Sequence, residues 1–102
     1  MLVIAGRIRI DPTKRAAALA AARDMMRDTR REAGCLSYTI SADVDDEGAF
    51  HVFEEWESAQ ALGAHFASPH MARFQQAAAG LGVSEMKIQR YEVASVGPVR
   101  PS

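Results

Sequence analysis

The order of hydrophobic periods along this chain leaves few folds open to it. Residues 2–10 alternate Leu2, Ile4, Gly6, Ile8 and Ile10 with Val3, Ala5, Arg7 and Arg9, the period-two pattern of a strand rich in β-branched residues. Asp11-Pro12 ends that strand, because the carboxylate can cap a helix and proline suits its first turn. The next twenty residues are rich in Ala, Arg and Met, all strong helix formers, with Leu19, Ala22, Met26 and Thr29 as a narrow apolar stripe. Gly34 is placed to end this helix in a left-handed conformation.

A second strand spans residues 35–43, with Leu36, Tyr38, Ile40 and Ala42 on one face. Asp45-Asp46-Glu47-Gly48 is a polar turn. Residues 49–57 then alternate Phe50, Val52, Glu54 and Trp56 with Ala49, His51, Phe53 and Glu55, so the two strands read as a hairpin. Ser58 caps a helix over 59–67, Ser68-Pro69 starts another to about 79, and Gly80 and Gly82 break the pattern. A last strand is expected over 85–95. The order β-α-β-β-α-β predicts an α+β, ferredoxin-like fold: a four-stranded antiparallel sheet with helices on one face. Residues 1–96 form one domain on this reading, and 97–102, with two prolines and no apolar pattern, a flexible C-terminal tail. Because Phe53 opposes Phe50, Val52 and Trp56, both sheet faces have something to bury, and a homodimer pairing two sheets is expected.

Composition removes several classes of function. A length of 102 residues implies one domain. A net charge of -1 gives no pull towards nucleic acid or an anionic membrane. The Arg- and Lys-rich stretch 13–32 reads as a solvated helix face, with Asp24–Arg27 and Asp28–Arg31 at pairing distance. Cys35 is the single cysteine, so an intramolecular disulfide is impossible and the residue reads as packing. The segment MLVIAGRIRI lacks the features of a secretory signal, and no apolar run approaches the ~18 residues needed to span a bilayer, so a cytoplasmic protein is expected. No P-loop, GxGxxG, HExxH, GxSxG or zinc-spaced His–Cys cluster occurs, so no cofactor or metal is expected.

The residues left to carry chemistry are polar and aromatic. His65, on the helical face of Leu62, could bind or deprotonate a phenolic hydroxyl; the alternative is a helix-end histidine bonded to a carbonyl. His70 reads as a surface or capping group and His51 as solvated. Of Glu54, Glu55 and Glu57, one should be semi-buried, able to act as a base or to orient a histidine, unless all lie at the sheet rim. Trp56 is either core or a substrate platform, Tyr38 and Tyr91 could offer hydroxyls to a pocket, and Phe66, Met71 and Phe74 would wall it.

Two stretches resemble a known family. Glu32-Ala33-Gly34-Cys35-Leu36-Ser37-Tyr38 is one; the other is Phe53-Glu54-Glu55-Trp56-Glu57-Ser58 with Ala61-Leu62-Gly63-Ala64-His65-Phe66 and Ser68-Pro69-His70. Together they resemble the antibiotic biosynthesis monooxygenase domain family. The resemblance implies a dimeric α/β barrel with a pocket between sheet and helices. It also implies a cofactor-independent monooxygenase or oxidase of small phenolic or quinol-type aromatics, which reacts its deprotonated substrate with dioxygen. His65, Tyr38 and Glu54 would then be catalytic and Trp56, Phe66, Phe74 and Met71 substrate-binding. The haem-degrading members fit poorly: they carry an asparagine on the first strand where this chain reads Gly6-Arg7-Ile8, and a late histidine where it reads Arg73-Phe74-Gln75-Gln76. Two other readings stand beside the oxygenase. One is an isomerase of a small phosphorylated dicarbonyl metabolite, with Arg7, Arg9, Arg73 or Arg90 on the phosphate. The other is a non-catalytic dimeric small-molecule binding or stress protein.

Overall fold

In the computed structural model, residues 1–100 are described. Strand β1 (Leu2–Arg9) is followed by a single 3₁₀ turn (Pro12–Lys14), helix α1 (Arg15–Thr29), strands β2 (Cys35–Ala42) and β3 (Ala49–Trp56), helices α2 (Ala59–Phe66) and α3 (Pro69–Ala78), and strand β4 (Glu85–Glu92). The strands lie in the order β2-β3-β1-β4, every neighbouring pair antiparallel. This is the α+β, ferredoxin-like arrangement the sequence periods predict. Residues 93–100 have no helix or strand, and Pro101 and Ser102, the end of the expected tail, lie outside the described residues. No helix among the described residues is long and apolar enough to cross a membrane.

Local chemistry explains where the helices start and stop. Asp11 accepts a bond from the Thr13 N–H, and Pro12 opens the 3₁₀ turn. Ser58 caps α2 through the Ala61 N–H, and Ser68 caps α3 through the Met71 N–H. Ser68 itself is extended, as the residue before a proline tends to be, and this separates α2 from α3. The first helix ends earlier than Gly34 suggested. Glu32 N–H bonds the Thr29 carbonyl and Arg31 N–H that of Asp28, tightening the last turn at Thr29. Gly34 does adopt a left-handed φ of 83°, but in the turn beyond. There its missing side chain lets α2 approach, since a Cβ would lie 2.5 Å from that of Ala61.

The helices cover one sheet face and bury Leu2, Ile4, Tyr38, Trp56, Met25 and Leu62 in one cluster, with Ile10, Ala18, Phe50 and Leu81 in another. On α1 the fully buried stripe is Ala18, Ala22, Met25 and Thr29, rotated from the expected one. The reason is that α1 packs beside α3 as well as over the sheet, and Met26 turns towards the β2 edge, where its sulfur accepts the Ile40 N–H at 3.4 Å. Leu36 also departs from expectation. The β2–β3 register slips between Cys35 and Ser37, so Cys35 faces Trp56 while Leu36 is bulged out and half exposed. Asp28 pairs with Arg27 and Arg73.

Phe53 and Tyr91, 46% and 48% exposed, sit on the uncovered face. Arg7 and Arg9 share it and reach Asp46 and Glu85.

Gly6 lies on β1 with β3 on one side and β4 on the other. A Cβ there would fall on the Lys87 carbonyl oxygen and the Ile88 Cα, both backbone atoms that cannot swing aside. Gly6→Ala should therefore cost roughly 2–3 kcal/mol, the scale of overpacking a close-packed interior. In a thermal melt that is a fall of about 10 °C or more. An unchanged midpoint would show that β4 can retreat from β1 at little cost.

Candidate active site

The third strand delivers the central group. Period-two alternation puts Glu54 and Trp56 on the helix-covered side, and the β2–β3 register sets Tyr38 directly opposite Glu54. Glu54 is only 6% exposed, and Trp56 is fully buried. The Trp56 indole N–H donates to Glu54 Oε1 at 2.9 Å, so one oxygen of the buried carboxyl is fixed by its neighbour two residues along. Glu55 points the other way and accepts the Ser37 hydroxyl at 2.7 Å, while Glu57 is exposed.

Glu54 and Tyr38 open onto a cavity of about 360 Å³ between the sheet and α3. Its walls are otherwise aliphatic or aromatic, apart from Gln75; Ile4, Ile8 and Ile88 form the floor, and Met71, Phe74 and the edge of Phe66 the roof. Burial is the main reason the Glu54 carboxyl rises from 4.5 to about 7; the Trp56 N–H opposes the rise, and the negative charge of Glu32 adds to it. Burial likewise pushes the Tyr38 phenol well above its ordinary value, helped by the charge of Glu54. At neutral pH the cavity thus presents a carboxyl poised between its two forms beside a neutral phenol.

His65 lies one layer back. Its ring is 1% exposed, packs against Trp56 at 4.8 Å between centroids and Tyr38 at 5.6 Å, and is not part of the cavity wall. Its Nδ1 donates to Glu32 Oε2 at 2.6 Å, and His70 Nε2 donates to the same oxygen at 3.0 Å. The Nε2 atom of His65 is buried with no hydrogen-bond partner. Glu32 sits in the turn between α1 and Gly34 and reaches across to α2 and α3. A rear layer of Glu32, His65 and His70 therefore supports Trp56, which in turn holds Glu54.

The sequence-derived residues separate accordingly. Glu54, Tyr38, Met71, Phe66 and Phe74 meet at the cavity. Trp56 stands behind Glu54 and presents no surface to it. His70 is not a free surface group, since it is held by Glu32. Tyr91 is away from the cavity, its hydroxyl donating to Gln89. His51 is exposed and paired with Asp43 at 2.7 Å. The residue whose role the sequence hid is Glu32, because its partners are 33 and 38 positions away and no local period links them.

Comparison with known proteins agrees with the fold. Residues 1–77 match the sequence model for antibiotic biosynthesis monooxygenase. An uncharacterized Synechocystis protein, sll1783, is 30% identical over 93 residues; these cover 91% of this chain but 63% of that protein, so the chain spans under two thirds of this relative. A Deinococcus radiodurans structure named for the same monooxygenase family superposes with a TM-score of 0.90 at 27% identity, covering 99% of this chain and all of that one. PA3566 from Pseudomonas aeruginosa superposes at 0.82 with 30% identity, over 91% and 94% of the two chains. Fold and family match coincide, and the chain belongs to the antibiotic biosynthesis monooxygenase family.

Proposed function

We propose that the protein is a cofactor-independent monooxygenase or oxidase of small phenolic or quinol-type aromatic compounds. The observation that carries this reading is Glu54: a carboxyl with a pKa of about 7 facing a largely apolar cavity of about 360 Å³. Flat aromatic rings suit such walls, and one titrating group is what a phenol needs in order to ionise. The Glu54 carboxylate takes the hydroxyl proton, and the electron-rich phenolate so formed reduces dioxygen. For a quinol, two electrons and two protons pass to dioxygen, giving quinone and hydrogen peroxide. For an activated methylene, one oxygen atom ends in the new carbonyl and the other leaves as water with the two hydrogens. Tyr38, held neutral, donates a hydrogen bond to the developing oxyanion. His65 is a positioning residue here, holding Trp56 and through it Glu54.

The isomerase reading lacks support at the cavity, whose lining includes no Arg or Lys to meet a phosphate. Arg7, Arg9, Arg73 and Arg90 are each turned to a carboxylate elsewhere. The non-catalytic binding reading uses the same cavity and differs only in the absence of turnover. Oxygen uptake against a panel of hydroquinones and anthrones separates the two, with autoxidation subtracted. Uptake should rise with pH through about 7, and Glu54→Gln should lower it at least ~100-fold, the scale of a lost general base. No uptake above background with any of the panel, alongside thermal stabilisation by the same compounds, would favour the binding protein.

Glu54 also makes a prediction about stability. Its pKa is higher in the folded chain (about 7) than the ordinary 4.5, so between those values the native state binds more protons than the unfolded one. Stability from this group is full below pH 4.5 and is lost as pH climbs to 7. Glu54→Gln keeps a hydrogen-bond acceptor for Trp56 and removes the ionisation. It should be more stable than wild type at pH 8, by on the order of 3 kcal/mol, with the advantage vanishing near pH 4.5. Urea unfolding at both pH values measures this; equal differences at both would mean that Glu54 titrates normally.

A homodimer pairing the uncovered sheet faces is part of the same proposal. Half-exposed Phe53 and Tyr91 on that face, among charges of both signs, support it. Light scattering at micromolar concentration should give twice the chain mass; a value near 11.1 kDa rules the dimer out.

A further inference from the structure

Glu32, His65 and His70 come from three separate segments: the turn after α1, the end of α2 and the first turn of α3. One donor atom from each lies within 4.8 Å of the other two. Two imidazole nitrogens and a carboxylate oxygen, mutually close and partly or fully buried, are the ligand types that zinc-class ions select; calcium and magnesium prefer oxygen donors alone. We propose that this cluster binds one divalent transition metal ion of the zinc class.

The geometry needs little adjustment. The two imidazole nitrogens now stand 2.6 and 3.0 Å from Glu32 Oε2. Ligands around a tetrahedral zinc at 2.0–2.1 Å lie about 3.3 Å apart, so Glu32 must draw back from His65 by about 0.7 Å and from His70 by about 0.3 Å, within the swing of a glutamate side chain. Metal takes the place of the hydrogens that the imidazoles now direct at Glu32: a neutral ring carries its proton on the nitrogen that does not ligate, and a charged ring releases one proton to solvent. His65 then ligates through Nδ1 and keeps its remaining proton on Nε2, among the rings of Trp56 and Tyr38.

The surroundings supply an entrance and a fourth position. His70 borders a groove of about 100 Å³ between α1 and α3, whose wall also includes Asp28 and Arg73. Water reaches the metal from this side. The Arg73 guanidinium, which would oppose a cation, is drawn to Asp28 at 3.4 Å. Glu32 brings a negative charge to the dication, while Asp28 is paired with Arg27 and Arg73. The substrate cavity is not involved, because neither Glu32, His65 nor His70 lines it. The ion would rivet the turn after α1 to α2 and α3.

Zinc and cobalt(II) titrations of the full chain test this, by calorimetry and by the visible absorption of tetrahedral cobalt. The expected result is one ion per chain at micromolar affinity or better. His70→Ala should weaken binding at least ~100-fold, beyond the 10–100-fold typical of losing a ligand's supporting partner. His51→Ala is the control, since His51 with Asp43 is another histidine–carboxylate pair and is no member of the cluster; its affinity should equal that of wild type. No binding at submillimolar zinc overturns the proposal, as does binding lost in His51→Ala or unchanged in His70→Ala. If His70→Ala fails to fold, His70→Cys decides. A sulfur-to-cobalt charge-transfer band that wild type, with Cys35 as its one thiol, does not show marks position 70 as a ligand, and its absence rejects the site. None of these readouts uses turnover, so the result stands apart from the oxygenase reading.

Discussion

Everything at the heart of this molecule depends on how one carboxyl group tolerates being buried. Glu54 is under an apolar roof, and the single indole N–H it receives from Trp56 does not repay its lost hydration. The balance can be read from its pKa. A hydrogen bond to the charged form contributes about 1.5–3 kcal/mol, yet the pKa still stands near 7 rather than 4.5, a net penalty of roughly 3 kcal/mol on the anion. Desolvation wins. The outcome is a group that is half ionised where cells operate, and the fold sustains it because β3 is clamped on both sides by β1 and β2.

That clamp in turn explains the aromatic residue beside it. Trp56 is entirely buried and looks at first like core. Its ring does fill the core, but its one polar atom is spent on Glu54, which fixes the carboxyl's orientation as well as its environment. The ring is kept in place by His65, whose own orientation is set by Glu32. Polarity here is arranged in depth: a front pair, Glu54 and Tyr38, meets the cavity, and a rear trio faces the helices.

Much of the fold was legible because it depends on short-range periods. Alternation along β1 and β3 announced the buried sides, and the serines before α2 and α3 marked their starts. What failed was register. Nothing local reveals that the chain slips between Cys35 and Ser37, so Leu36 was assigned to the wrong side, and the α1 stripe was misread because α3 packs on a flank that helical spacing alone does not reveal. At the site, the pattern E-x-W placed Glu54 and Trp56 on one face and left open which glutamate would be buried. The position of Tyr38 opposite Glu54 needed the pairing of two strands. Glu32 was beyond reach for the same reason in stronger form: its role exists only once residues 33 and 38 positions away have been folded against it.

The front and rear layers cannot vary independently, because charge acts across Trp56. The Glu32 carboxylate, although hydrogen-bonded to two imidazoles, still contributes to the rise of the Glu54 pKa. Like charges in a poorly solvated interior interact over longer distances than they would in water. Whatever neutralises Glu32 therefore makes Glu54 easier to ionise, although Glu32 does not line the cavity. A dication bound at Glu32 would act in that direction, since it offsets the negative charge that the carboxylate contributes. The helical layer is thus more than a lid over the sheet. Through Glu32 it sets part of the field in which the cavity carboxyl titrates, and the pH range over which Glu54 can accept a proton is a property of both layers together.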